Sequence, residues 1–144
     1  MPVTFEITNV IDRPLSKVFD FFARNHIRNH PRWDPDIKLE ATSDAPIGVG
    51  TIIRRINSRS GTPVEGTMEV VEFEPDRAMA TIIHDGPVEM RGRVTFEALG
   101  EARTRMTTRF EIPGADESTI DRAFMMSRLE RSAQNQRQLM EAEL

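Results

Sequence analysis

Cysteine is absent from this 144-residue chain. Disulfides, thiol nucleophiles and thiolate metal sites are therefore excluded together. Tyrosine is absent as well, which removes one common proton donor from any internal site. No apolar run approaches the ~20 residues of a membrane-spanning helix. Met1-Pro2-Val3-Thr4-Phe5-Glu6 reads as a strand rather than as a signal peptide, so the cytoplasm is the expected location. Lysine is almost missing: Lys17 and Lys38 are the only two, and the remaining positive charge is arginine. A net charge of −4 argues against a nucleic-acid partner. Arg91, Arg93, Arg105 and Arg109 share one face, but Glu89, Glu97 and Glu111 interleave with them, and no exposed aromatic pair is there to stack on bases. There is no GxSxG, no phosphate loop and no metal-binding cluster, so no catalytic constellation, metal or cofactor is expected.

What the chain does have is alternation. Val88, Met90, Val94, Phe96 and Ala98 fall on one face with Gly92, while Glu89, Arg91, Arg93, Thr95 and Glu97 fall on the other. Met106, Thr108 and Phe110 repeat the apolar face on the returning strand. Period two means a sheet with one wet and one apolar face. The element order reads β-α-α-β-β-β-β-β-β-α in one domain spanning residues 1–144. Strand 1 covers Val3 to Val10, with Val3, Phe5 and Ile7 inward. A helix opens at Asp12-Arg13-Pro14 and carries Leu15, Val18, Phe19 and Phe22 as an amphipathic stripe. A second short helix covers Asn25 to His30 and stops at Pro31. Strand 2 covers Ile37 to Thr42. The last helix runs from Asp116 to Glu143, is capped by Asp116 or Ser118, and buries Met125, Leu129, Ala133, Gln136 and Met140. Ile120 and Phe124 fall out of phase with that stripe. The expected fold is α+β: a seven-stranded antiparallel curved sheet wrapped around the C-terminal helix, with two short helices between strands 1 and 2.

Hairpin parity orients the inner wall. Even-length turns near Ser60-Gly61, Pro75-Asp76 and Asp85-Gly86 place Ile53 opposite Met68, Arg55 opposite Gly66, Thr81 opposite Val70 and Ile83 opposite Val88. A three-residue turn containing Gly100 aligns the final hairpin. Ile53, Arg55, Asn57, Met68, Met79 and Thr81 then point inward. One of Arg54 and Arg55 must face the interior whatever the parity. Its charge calls for a carboxylate such as Glu72, an exit to the cavity mouth, or a ligand oxygen. Gly66 is expected to leave room for the guanidinium.

Several motifs carry a family resemblance: Pro14-Leu15-Ser16-Lys17-Val18-Phe19-Asp20, Pro31-Arg32-Trp33-Asp34-Pro35, Pro46-Ile47-Gly48-Val49-Gly50-Thr51, Glu69-Val70-Val71-Glu72-Phe73-Glu74-Pro75 and Asp85-Gly86-Pro87, followed by the long last helix. With these the chain resembles the SRPBCC superfamily of START-like, helix-grip proteins, and within it the polyketide cyclase/dehydrase and lipid-transport group. The resemblance implies a cavity between sheet and helix, with the Trp33 region bordering its mouth. It implies no catalytic residue, since the superfamily has no universal one.

The expected ligand-binding residues are Trp33, Ile53, Arg55, Asn57, Met68, Met79, Thr81, Met90, Phe96, Met106, Thr108, Phe110, Met125 and Leu129. The leading function is binding of a small, mostly apolar molecule with a carboxylate or carbonyl end near Arg55. The alternative is a cyclase or dehydratase that acts on a polyketide-like or other enolisable aromatic substrate and polarises a carbonyl with Arg55, Asn57 or a buried water. A third reading is an interaction module with a filled core, and a homodimer stays open. A cavity with two or more polar side chains, one of shifted pKa, favours the enzyme; a uniformly apolar one favours the carrier. His26 and His30 have helical metal spacing, but Pro31 disfavours helix at His30 and a third ligand is missing. His84 faces out.

Overall fold

The computed structural model describes residues 3–144; Met1 and Pro2, which the sequence reading runs into the first strand, lie outside the described residues. Seven strands form one antiparallel sheet in the order β1-β7-β6-β5-β4-β3-β2. They are β1 (Val3–Ile11), β2 (Ile37–Ala41), β3 (Ile52–Asn57), β4 (Val64–Glu74), β5 (Ala78–Asp85), β6 (Val88–Ala98) and β7 (Thr104–Ile112). Between β1 and β2 lie α1 (Leu15–Phe19), a π-helical turn (Asp20–Arg24) and α2 (His26–Trp33), and α3 (Arg122–Glu143) closes the chain. The alternation sets the faces as expected, with Val94, Phe96 and Met106 buried and Arg91, Arg93, Arg105 and Arg109 exposed, but Met90 and Phe110 are only half-buried and Ala98, at the strand end, is exposed. Among the described residues no helix is long and apolar enough to cross a membrane.

Three local expectations are corrected. First, α2 does not stop at Pro31; it runs through it to Trp33. Proline costs one backbone hydrogen bond there. The aromatic cluster of Phe22, His26, His30 and Trp33 holds the turn together, with Phe22 and Trp33 nearly parallel at 5.3 Å and His26 edge-on to His30. Second, α3 begins at Arg122, not Asp116. Asp121 is its cap, accepting from the Phe124 N–H at 3.0 Å. Asp116 instead closes its own turn by accepting from the Ser118 N–H at 2.9 Å. Ile120 therefore precedes the helix, which explains its phase, and Phe124 is exposed. Third, β5 and β6 meet at a two-residue turn, Gly86-Pro87, so Asp85 faces Val88 and Ile83 faces Met90. Parity holds but the register lies two residues from the expected one. Val88, flanking the turn, is exposed.

The β4–β5 hairpin reaches the expected pairing by another route. Its turn has three residues, since Glu74 pairs with Ala78, and Asp76 sits at φ 62°. A bulge at Val71 then restores parity, so Val70 faces Thr81 and Met68 faces Ile83. Ile53–Met68 and Arg55–Gly66 pair as expected.

The apolar interior is divided. One cluster joins Phe19, Phe22, Trp33, Met79, Phe96, Met106 and Met140; a second joins Val3, Phe5 and Ile112 with Phe110, Ile120 and Leu129; a third joins Ile53, Met68 and Ile83. Space remains between them, beneath α3.

Candidate functional site

That space is a cavity of about 90 Å³. The sheet contributes Ile7, Asn9, Met68, Met79, Thr81, Ile83, Val94, Thr108 and Phe110 to its wall. The π-helical turn and α2 contribute Phe22, His26, His30 and Trp33, and α3 contributes Leu129, Ser132, Ala133 and Gln136. Gly92 belongs to the same wall, and a Cβ there would stand 3.1 Å from the Phe110 ring. Asn9 ties β1 to α3 by donating to the Ala133 carbonyl at 2.7 Å.

Of the residues expected to contact a ligand, Trp33, Met68, Met79, Thr81, Thr108, Phe110 and Leu129 line this cavity. Asn57, Met90 and Met125 line a neighbouring cleft of about 670 Å³. Ile53, Phe96 and Met106 point inward but are packed in the core clusters behind the wall, and Arg55 lines neither space.

Arg55 is committed elsewhere. Its partner is Asp85 rather than Glu72: Nε donates to Oδ1 at 2.9 Å and Nη2 to Oδ2 at 3.2 Å. Asn57 donates to the same carboxylate at 2.9 Å. Both charges are buried, with 2% and 7% of their side chains exposed. Glu72 pairs with Arg93 on the outer face. Gly66 is not there for the guanidinium. A Cβ at that position would lie 1.7 Å from the His84 carbonyl oxygen, so the close approach of β4 to β5 requires glycine. The expectation of a carboxylate or carbonyl end on the ligand rested on Arg55, and the structure spends that cation on Asp85.

Sequence reasoning weighed His26 and His30 only as a metal pair and did not place them in the cavity wall, where both stand. His26 Nδ1 lies 2.8 Å from the Phe22 carbonyl oxygen, and His30 Nδ1 lies 3.0 Å from His26 Nε2. Burial lowers the pKa of His26 from 6.5 to about 4, with the nearby Arg55 charge adding to the effect. Burial holds His30 well below the usual histidine range, helped by His26, Arg55 and Arg59. His30 is only half-buried, yet desolvation is still the main cause, and the residue lines the cavity. The legible signal was the i, i+4 spacing, and the helix break assigned to Pro31 hid it.

Arg59, on the β3–β4 loop, is ion-paired with Asp34 at the end of α2. Arg59 borders the cavity, the first cleft and a second cleft of about 700 Å³ beside α3. The Arg59–Asp34 pair therefore stands where the three spaces meet.

The family model described as "Polyketide cyclase / dehydrase and lipid transport" matches residues 2–141. A START superfamily protein from Mycobacterium smegmatis superposes with TM-score 0.78 at 12% identity, over 98% of this chain and 99% of that one. An aromatase/cyclase from a Streptomyces species superposes with TM-score 0.73 at 17% identity, over 99% and 93%. Norcoclaurine synthase from Thalictrum flavum, in complex with dopamine and hydroxybenzaldehyde, superposes with TM-score 0.69 at 15% identity, over 99% and 90%. At such identities the likeness is one of fold. No curated protein matches the chain by sequence.

Proposed function

The chain belongs to the polyketide cyclase/dehydrase and lipid transport family, and from that membership we propose that it binds a small, mostly apolar molecule between the sheet and α3. The observation that carries this reading is the divided core: three apolar clusters leave a lined space where a filled module would have one. A cavity of ~150 Å³ accepts a benzene ring; the space of about 90 Å³ is smaller but partly open, so an aromatic ring seated in it would extend into the mouth. A longer molecule would pass the Arg59–Asp34 pair into the adjoining clefts.

Trp33 is the only tryptophan and stands in the cavity wall. Its emission should respond saturably to a small aromatic ligand. Ala133→Phe, which fills the cavity from α3, should abolish the response, whereas Arg93→Ala on the outer face should not. Equal behaviour of the two variants would put the ligand on the surface and end this reading.

The wall is not uniformly apolar, and by the criterion of several polar side chains with a shifted pKa it favours a second reading, a cyclase or dehydratase, which must also bind such a molecule. Asn9, His26, His30, Thr81, Thr108, Ser132 and Gln136 share the wall with the apolar residues, and both imidazoles are neutral bases at neutral pH. Deuterium uptake at the α-carbon of an enolisable aryl ketone, followed by NMR with and without protein, tests it. A rate no faster with protein than without would leave the binding reading alone.

A further inference from the structure

The two histidines form a chain with only one consistent arrangement of protons. The Phe22 carbonyl can only accept, so the Nδ1 of His26 facing it must carry hydrogen. A neutral imidazole has one N–H, so His26 Nε2 offers a lone pair. The atom 3.0 Å from that lone pair, His30 Nδ1, must then be the donor. His30 has its single hydrogen there, and its Nε2 is left as a lone pair. Burial keeps both rings neutral near pH 7, which is the condition this assignment needs.

The free end of the chain faces space. Among the described residues no protein group bonds His30 Nε2, and no fully buried side-chain nitrogen or oxygen lacks a partner. This nitrogen is therefore unsealed, and the space that His30 lines is the cavity. The His30 ring is also held flat against Trp33, with centroids 5.3 Å apart and planes 19° from parallel. Position, tautomer and orientation of the lone pair are thus fixed from behind, by a backbone carbonyl two hydrogen bonds away.

We propose that His26 and His30 form a hydrogen-bond acceptor relay whose terminus, His30 Nε2, selects cavity ligands bearing a neutral hydroxyl donor. The inference rests on the binding reading above and deepens it. A carboxylate would meet a lone pair instead of a proton and would bind poorly at this point. An ether or plain hydrocarbon offers the nitrogen no hydrogen and forgoes that bond. His26 acts as the positioning residue and His30 as the contact.

Phenol, anisole and benzoate, titrated into the protein at neutral pH by calorimetry and Trp33 emission, test the proposal. Phenol should bind about three- to ten-fold more tightly than anisole, the range of one neutral hydrogen bond, and benzoate more weakly still. His30→Phe keeps a ring against Trp33 and removes the acceptor, so the preference for phenol over anisole should vanish. If that variant fails to fold, nitrogen-15 NMR of the unmodified protein decides instead. Both rings should carry hydrogen on Nδ1 alone, and phenol but not anisole should shift the His30 Nε2 resonance. Hydrogen on His30 Nε2, or equal binding of phenol and anisole, would overturn the relay while leaving the cavity reading intact. Failure of all three compounds to bind would overturn both.

Discussion

Arg55 shows how a single residue changes meaning once its partner is known. Two parallel hydrogen bonds hold it to Asp85 out of water, and Asn57 supplies a third to the same carboxylate. Removing one member of such a pair leaves a buried charge alone, which costs ~3–5 kcal/mol. Arg55→Met is expected to lower unfolding stability by about that much in urea titration. Arg54→Met, whose pairing with Glu40 is exposed and 3.7 Å long, is expected to be nearly silent. If Arg55→Met weakened ligand binding without loss of stability, the arginine would belong to the site after all. His26 makes a second residue-scale prediction. Its folded pKa, about 4, lies below the unfolded 6.5, so the unfolded state takes up the proton first as pH falls. Its contribution is complete above about 6.5 and is lost progressively down to about 4. At ~1.4 kcal/mol per pH unit the loss amounts to about 3 kcal/mol. His26→Phe should flatten that part of the stability profile, with Phe22 still beside the ring. An unchanged slope between pH 6.5 and 4 would mean that the burial of His26 contributes nothing to acid sensitivity.

Among the elements, α3 is anchored unevenly. Its C-terminal half buries Ala133 and Met140, and Asn135 donates to the Trp33 carbonyl at 3.1 Å. Glu141 accepts from the Asp12 N–H at 2.8 Å, and Glu143 pairs with Arg32. The N-terminal half keeps Met125, Met126 and Leu129 half-buried and Phe124 exposed, and its polar ties are Arg122 to the Thr4 carbonyl and Arg128 to Asp36. Low burial and few ties define the parts of a fold that open first. Backbone amides of Met126–Glu130 are therefore expected to exchange with solvent at least ~10-fold faster than those of Ala133–Met140. A ligand in the cavity should slow the faster set. Uniform protection along α3 would show that its two halves open together.

The whole molecule depends on α3 as its cover. The sheet's inner face presents Met79, Val94, Phe96 and Met106, all buried, and Met140 of α3 is sealed against the cluster they form. Deleting the chain from Asp121 onward uncovers a contiguous apolar face. The truncated protein is expected to aggregate or to become compact without fixed packing, read as loss of near-ultraviolet circular dichroism with strong binding of a hydrophobic dye. A soluble truncation that unfolds cooperatively would show that sheet, α1 and α2 close a core by themselves.

Direction was legible in the sequence, because strand periodicity is local. Alternation from Val88 to Phe110 set which side chains point to α3 and which arginines meet water, and turn parity set Ile53 opposite Met68 and Arg55 opposite Gly66. Even the bulge at Val71, which nothing in the alternation announces, left that face intact because the three-residue turn offset it. The helix ends were less legible, since stacking around Trp33 overrides the local cost of Pro31, and Asp121 competes with Asp116 and Ser118 for the cap. What lies in front of each inward side chain was decided only by the tertiary structure. Met68 and Met106 look alike in the sequence, yet one borders space and the other is packed shut. Arg55 found Asp85 thirty residues away, and Asn9 and Ala133, which set the stand-off of α3, are 124 residues apart. A periodic pattern tells a side chain where to point; whether the space there is filled depends on distances between elements that no local pattern encodes.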